Sequence, residues 1–98
     1  MEKRNSILIS YDVRNDKRWR KLHKLLLGYG KSLQYSVFIC KLNKRQLSRL
    51  KWEMSLILND EDSLMICEIC PRCSKRIIQK GKKIIELEEY LNEKTVII

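Results

Sequence analysis

Alternation opens the chain. Between Ser6 and Val13, Ile7, Ile9 and Tyr11 alternate with Leu8, Ser10 and Asp12, the two-residue period of a strand with one face turned to a core. From Lys17 the period lengthens. Trp19, Leu22, Leu26 and Tyr29 recur at helical spacing and predict a helix up to Tyr29, with Asn15 or Asp16 as its cap and Gly28 and Gly30 as its stop. The stretch from Leu33 to Leu42 is strand-forming, either one bent strand or two short ones meeting near Tyr35. Asn43 then caps a second helix to about Asn59, whose buried stripe is Leu47, Leu50, Met54, Ile57 and Leu58. After the polar run Asn59-Asp60-Glu61-Asp62, read as a solvated turn, residues Ser63 to Cys70 form another strand that Pro71 stops. The order β-α-β-α-β predicts an open sheet with both helices on one face.

Beyond Cys70 the pattern weakens. Lys75 to Lys83 is basic and broken by Gly81, and Ile84 to Leu91 fits a short helix or an irregular strand. The apolar end Thr95 to Ile98 would be a sticky edge if left free, so it is expected to pair with a sheet in its own subunit or another. With 98 residues, 44% of them apolar and 34% charged, the chain has the size and composition of one soluble domain spanning 1–98. No apolar run has the length of a membrane span, and the polar start carries no signal peptide. A cytoplasmic protein with no membrane partner is expected.

Charge adds a direction to this picture. Residues 1–60 hold 14 Lys or Arg against 5 Asp or Glu, whereas residues 61–98 hold 7 of each, so the whole net charge of +9 lies in the first part. One-sided positive charge suits a phosphate backbone. On the first helix Lys17, Arg20, Lys21 and Lys24 share one face opposite the apolar stripe. With Arg14 just ahead of them, they are the candidate backbone-gripping surface. Lys41, Arg45 and Arg49 recur four apart on a different face.

Candidate chemistry is sparse. Asp12 ends a strand just ahead of a helix, where α/β folds present functional side chains. It suits a divalent metal such as Mg²⁺, which takes most of its ligands from water and phosphate. It equally suits a turn cap or a partner for Arg14. A metal nuclease usually gathers several acids, and a twofold dimer would bring two copies of Asp12 together. Asp16 reads as a favourable charge at a helix start. The only histidine, His23, borders the buried stripe and reads as a packed or surface helix residue rather than a general base. Cys67, Cys70 and Cys73, with Cys40 far away, make an incomplete zinc set, because 67 and 70 fall on opposite faces of a strand. Reduced, half-buried thiols are expected instead. Trp19, Trp52, Tyr11, Tyr35 and Phe38 are read mainly as core rather than as base-stacking residues.

Ser10-Tyr11-Asp12-Val13 with a basic first helix, Gln34-Tyr35-Ser36-Val37-Phe38, and a late Ile69-Cys70-Pro71-Arg72-Cys73 together resemble the small CRISPR-associated adaptation protein family, whose members are described as CRISPR-associated endoribonucleases. The resemblance covers nearly the whole chain. It implies an α+β, ferredoxin-like fold and a homodimer joined along its sheets, with the C-terminal segment 84–98 completing the dimer sheet. It also implies spacer acquisition, in which the dimer bridges the CRISPR integrase and holds duplex DNA, and metal-dependent cleavage of RNA or DNA, single-stranded RNA included. Position by position, Asp12 matches the family's metal-binding and catalytic aspartate, with one Mg²⁺ shared by two copies. Tyr11 is its supporting neighbour, Phe38 the aromatic of the S-V-F signature, and Arg18 and Arg20 fall at the basic helix start. Where the family commonly has an arginine before the glutamine, this chain has Ser32 and Leu33, with Lys31 nearby. The cysteine cluster also occurs in the family, which argues further against zinc. The alternative function is a non-catalytic nucleic-acid scaffold in which Asp12 is structural.

Overall fold

The computed structural model describes residues 3–69, 78–80 and 96–97. Strand β1 (Asn5–Asp12) leads into helix α1 (Asp16–Leu27), then β2 (Gly30–Gln34), β3 (Val37–Leu42), helix α2 (Lys44–Ile57) and β4 (Ser63–Ile69). The ten residues from 33 to 42 are therefore parts of two strands. Gln34 pairs with Val37 across a two-residue turn at Tyr35 and Ser36, and a register shift between Ser32 and Gln34 kinks β2. The sheet order is β2-β3-β1-β4, with every neighbouring pair antiparallel. This is the ferredoxin-like α+β arrangement that the resemblance implied.

Pairing registers separate the two faces of the sheet. Ile7, Ile9 and Tyr11 lie across from Cys40 and Phe38 on one side and from Ile66 and Leu64 on the other, and they form the helix-covered face. There they pack with Leu22 and Leu26 of α1 and Leu47, Leu50 and Met54 of α2. The opposite face carries Leu8, Ser10 and Asp12, aligned with Cys67, Met65 and Ser63 of β4. Met65 is 62% exposed on that open face.

Both helices start as their caps dictate. The Asn15 side chain accepts from the Arg18 amide at 3.1 Å. Asn43 and Gln46 form a reciprocal capping box, each side chain accepting from the other's backbone N–H at 2.8 and 2.9 Å. Gly28 closes α1 in an ordinary right-handed conformation (φ −75°, ψ −15°). Gly30, read as part of that helix stop, is instead the first residue of β2 and is required by packing. A Cβ there would lie 2.7 Å from the Cys40 Cβ and would also meet the Ile39 carbonyl.

Further readings change. Trp52 and Tyr35 are not core but 63% and 74% exposed, Trp52 on the outer side of α2 and Tyr35 in the turn after β2. Lys41 belongs to β3, apart from the helical Arg45 and Arg49. Asp62 is not a solvated turn residue, as its contacts show below. Two short strands complete the description. β5 (Ile78–Gln79) pairs in parallel with β6 (Val96–Ile97), so Val96 and Ile97 pair within their own chain. The readings for Cys70, Pro71, Cys73 and the segment 81–95 lie outside the described residues.

Candidate nucleic-acid interface

Asp12 stands at the end of β1 on the open face of the sheet, with its side chain 62% exposed and an Arg14 guanidinium nitrogen 3.4 Å away. No group of three His, Cys, Asp or Glu side chains suited to a metal ion is assembled among the described residues. Cys40 and Cys67 do not converge. Cys40 pairs with Ile7 on the helix-covered face, Cys67 with Leu8 on the open one. Burial pushes the Cys40 thiol up to about 11, which makes it a poor thiolate.

Tyr11, immediately before Asp12, points the other way into the core. Its hydroxyl lies 3.3 Å from His23 Nδ1 and donates to the Tyr35 carbonyl at 3.5 Å. Its backbone N–H donates to the Ser36 carbonyl at 3.1 Å. Burial, with a smaller contribution from Tyr35, raises its pKa to about 12. Tyr11 therefore stays protonated near neutrality and acts as a brace, not as a base. Phe38 supports it from below at 6.2 Å and also meets the His23 ring edge-on at 5.2 Å. His23 stacks on Trp19 at 4.6 Å, which makes it the packed one of the two helix roles its spacing allowed. The Trp19 Nε1–H is buried with no hydrogen-bond partner among the described residues.

The cations divide into two groups. Lys17, Arg20, Lys21 and Lys24 are all exposed on α1, and among the described residues no carboxylate lies within ion-pair distance of them. Arg18, placed with them by the resemblance, is instead held inside the fold. Its Nε and Nη2 donate to the two oxygens of Asp62 at 2.8 and 3.2 Å, and Glu61 lies 3.6 Å from Nη2. The Asp62 carboxylate is wholly inaccessible to solvent. It also accepts from the Arg14 and Asn59 backbone N–H groups at 3.2 and 3.0 Å. The Arg18 bonds, then the two backbone donors, hold its pKa down at about 2. This carboxylate joins the β1–α1 loop, the first turn of α1 and the α2–β4 loop. Helical angle was the available signal, since Arg18 falls off the face shared by Lys17, Arg20, Lys21 and Lys24.

On α2, Arg49 is tied to Glu53 at 3.0 Å, and Glu53 also accepts from the Tyr29 hydroxyl at 2.8 Å. No described helix is long and apolar enough to cross a membrane.

A four-stranded antiparallel sheet with two helices on one face, a basic helical surface and an aspartate at a strand end define a ferredoxin-like α+β protein. The model of the family "CRISPR associated protein Cas2" matches residues 5–77, and the chain belongs to that family. It is 35% identical over 89 residues to a CRISPR-associated endoribonuclease Cas2 of Thermus thermophilus, covering 87% of this chain and 95% of that protein. It superposes on the crystal structure of Streptococcus pyogenes Cas2 at pH 6.5 with a TM-score of 0.70 and 27% identity, covering 78% of this chain and 99% of the other. A chain of a partial Cas6-RT-Cas1–Cas2 complex also matches, with a TM-score of 0.57 and 27% identity over 65% of this chain and 77% of that one.

Proposed function

We propose that this chain is the nucleic-acid-handling subunit of CRISPR spacer acquisition, a homodimer that grips duplex DNA beside the CRISPR integrase and carries Mg²⁺-dependent endonuclease chemistry at paired Asp12 residues. The carrying observation is the exposed cationic face of α1, where Lys17, Arg20, Lys21 and Lys24 have no carboxylate in ion-pair distance among the described residues and can meet phosphates. The names of the relatives support a nuclease, and the Cas1–Cas2 assembly supports an integrase partner.

One chain alone does not fit a divalent metal, because Asp12 is a single carboxylate with a guanidinium as its neighbour. A second copy docked on the open face would add the missing carboxylate. That face carries Asp12 together with Leu8 and the exposed Met65. A metal held there would polarise the phosphate and activate water. The protein's own part is to fix the Asp12 backbone through Tyr11 and to bring the phosphodiester alongside through the α1 cations. Arg14, which lies beside Asp12, would supply a further cation for the phosphate.

The Asp12–Arg14 pair also favours a second reading, in which Asp12 is structural and the dimer is a non-catalytic scaffold. Asp12→Ala separates the two. Under the nuclease reading it abolishes Mg²⁺-dependent cleavage of RNA and duplex DNA while leaving binding intact. Lost cleavage with unchanged spacer acquisition confines catalysis to a side activity. Unchanged cleavage removes Asp12 from the chemistry.

A further inference from the structure

Tyr35 sits at the tip of the β2–β3 turn and is 74% exposed, yet its ring is not loose. It stacks on Trp19 with ring centres 4.5 Å apart and planes at 18°. Trp19 is itself packed against the core and stacked on His23. The Tyr35 carbonyl accepts from Tyr11, and the next carbonyl, that of Ser36, accepts from the Tyr11 amide. A large aromatic ring is thus held outward, with its rotamer freedom already spent before any ligand arrives. That is the preorganisation which favours binding.

Its surroundings say what kind of ligand fits. On α1, Arg20 and Lys24 are the residues after Trp19 and His23, about 100° further around the helix, both exposed and without a carboxylate in ion-pair distance among the described residues. The strand that braces the turn ends in Asp12, one residue beyond Tyr11. An outward ring stacked on a helix that also carries exposed cations is a combination that binds a nucleic-acid strand by its base faces and its phosphates together.

We propose that Tyr35 is a stacking platform for an unpaired nucleobase, the residue of this chain that holds one base of the strand by its face. The proposal rests on the nucleic-acid reading above and deepens it to one base-contacting residue. Inside a duplex, each base face is already covered by its neighbours, so Tyr35 gains nothing there. An unpaired base has a face to offer.

The test is binding by the full chain in the absence of divalent metal, which keeps it independent of chemistry at Asp12. The probes are one short sequence as single-stranded RNA, as single-stranded DNA and as a blunt duplex. Tyr35→Leu keeps an apolar cover over Trp19 without a ring, and Tyr35→Phe keeps the ring. Tyr35→Leu should weaken single-strand binding about fivefold or more, the low end for stacking one base, and leave blunt-duplex affinity unchanged. Tyr35→Phe should restore the wild-type value. A fluorescent adenine analogue in the single strand should be quenched by wild type and Tyr35→Phe but not by Tyr35→Leu. Unchanged single-strand affinity in Tyr35→Leu, or an equal loss on strand and duplex, overturns the platform alone. Absence of binding by the wild type to all three probes brings down the nucleic-acid reading with it.

Discussion

Gly30→Ala is the most demanding test of the packing that holds the β2–β3 hairpin. Gly30 pairs with Cys40. A methyl group there would stand 2.7 Å from the Cys40 Cβ and 2.9 Å from its Cα, and would run into the Ile39 carbonyl. Neither neighbour can yield easily. Ile39 and Cys40 are buried, and β3 is held on its other side by β1. Overpacking typically costs about 1–3 kcal/mol, and an obstacle made of backbone places this case at about 3 kcal/mol. For a domain of this size that lowers the thermal midpoint by roughly 12–24 °C, a large share of a total stability of about 5–15 kcal/mol. Circular dichroism during urea and thermal unfolding measures it, with Gly28→Ala as the paired control. Gly28 has a right-handed backbone, and a Cβ there would meet only the Leu25 carbonyl at 3.3 Å, so its replacement should be neutral or stabilising by about 0.5 kcal/mol. A Gly30→Ala protein within about 1 kcal/mol of wild type, the ordinary effect of a point change, would refute the close approach of β2 to β3.

Two more outcomes follow from the division of the cations. Lys17→Ala or Lys21→Ala should each flatten the salt dependence of duplex binding by about one phosphate contact while leaving the melting temperature unchanged. Arg18→Ala should do the reverse, lowering stability and sparing the salt slope, and a flattened slope would return Arg18 to the contact set. In acid, the Asp62 carboxylate has a folded pKa of about 2, below its ordinary 3.8. Its stabilisation is therefore present above about pH 4 and lost as pH falls toward 2. The stability gap between wild type and Asp62→Asn should close across that window, and a gap constant down to pH 2 would contradict the ion pair.

How much of this was legible depended on whether the signal was local. The alternation of Ile7, Ile9 and Tyr11 and the caps at Asn15 and Asn43 are written within a few residues, and the structure repeats them. The basic face of α1 is likewise a matter of helical period, and so is its exclusion of Arg18, which the family resemblance overrode. Trp52 misled by its chemistry, although its angle on α2 lies opposite Leu47, Leu50 and Met54. Asp62 was beyond reach. An acid in an Asn-Asp-Glu-Asp run looks solvated until the fold brings Arg18 to it across 44 residues of chain. Tyr35 and Ser36 lack the Gly or Asn that usually announces a two-residue turn, so the hairpin stayed ambiguous with one bent strand.

Tyr11 makes the turn tip and the strand end parts of one mechanical unit, since its hydroxyl and its amide both hold the tip while its own carbonyl leads to Asp12. Two ligands seated on such a unit share a coupling free energy. By whatever factor a base resting on Tyr35 tightens or loosens a cation at Asp12, the cation changes the hold on that base by the same factor. Under the proposed function, residence on the strand and cation binding at Asp12 would then be linked quantities.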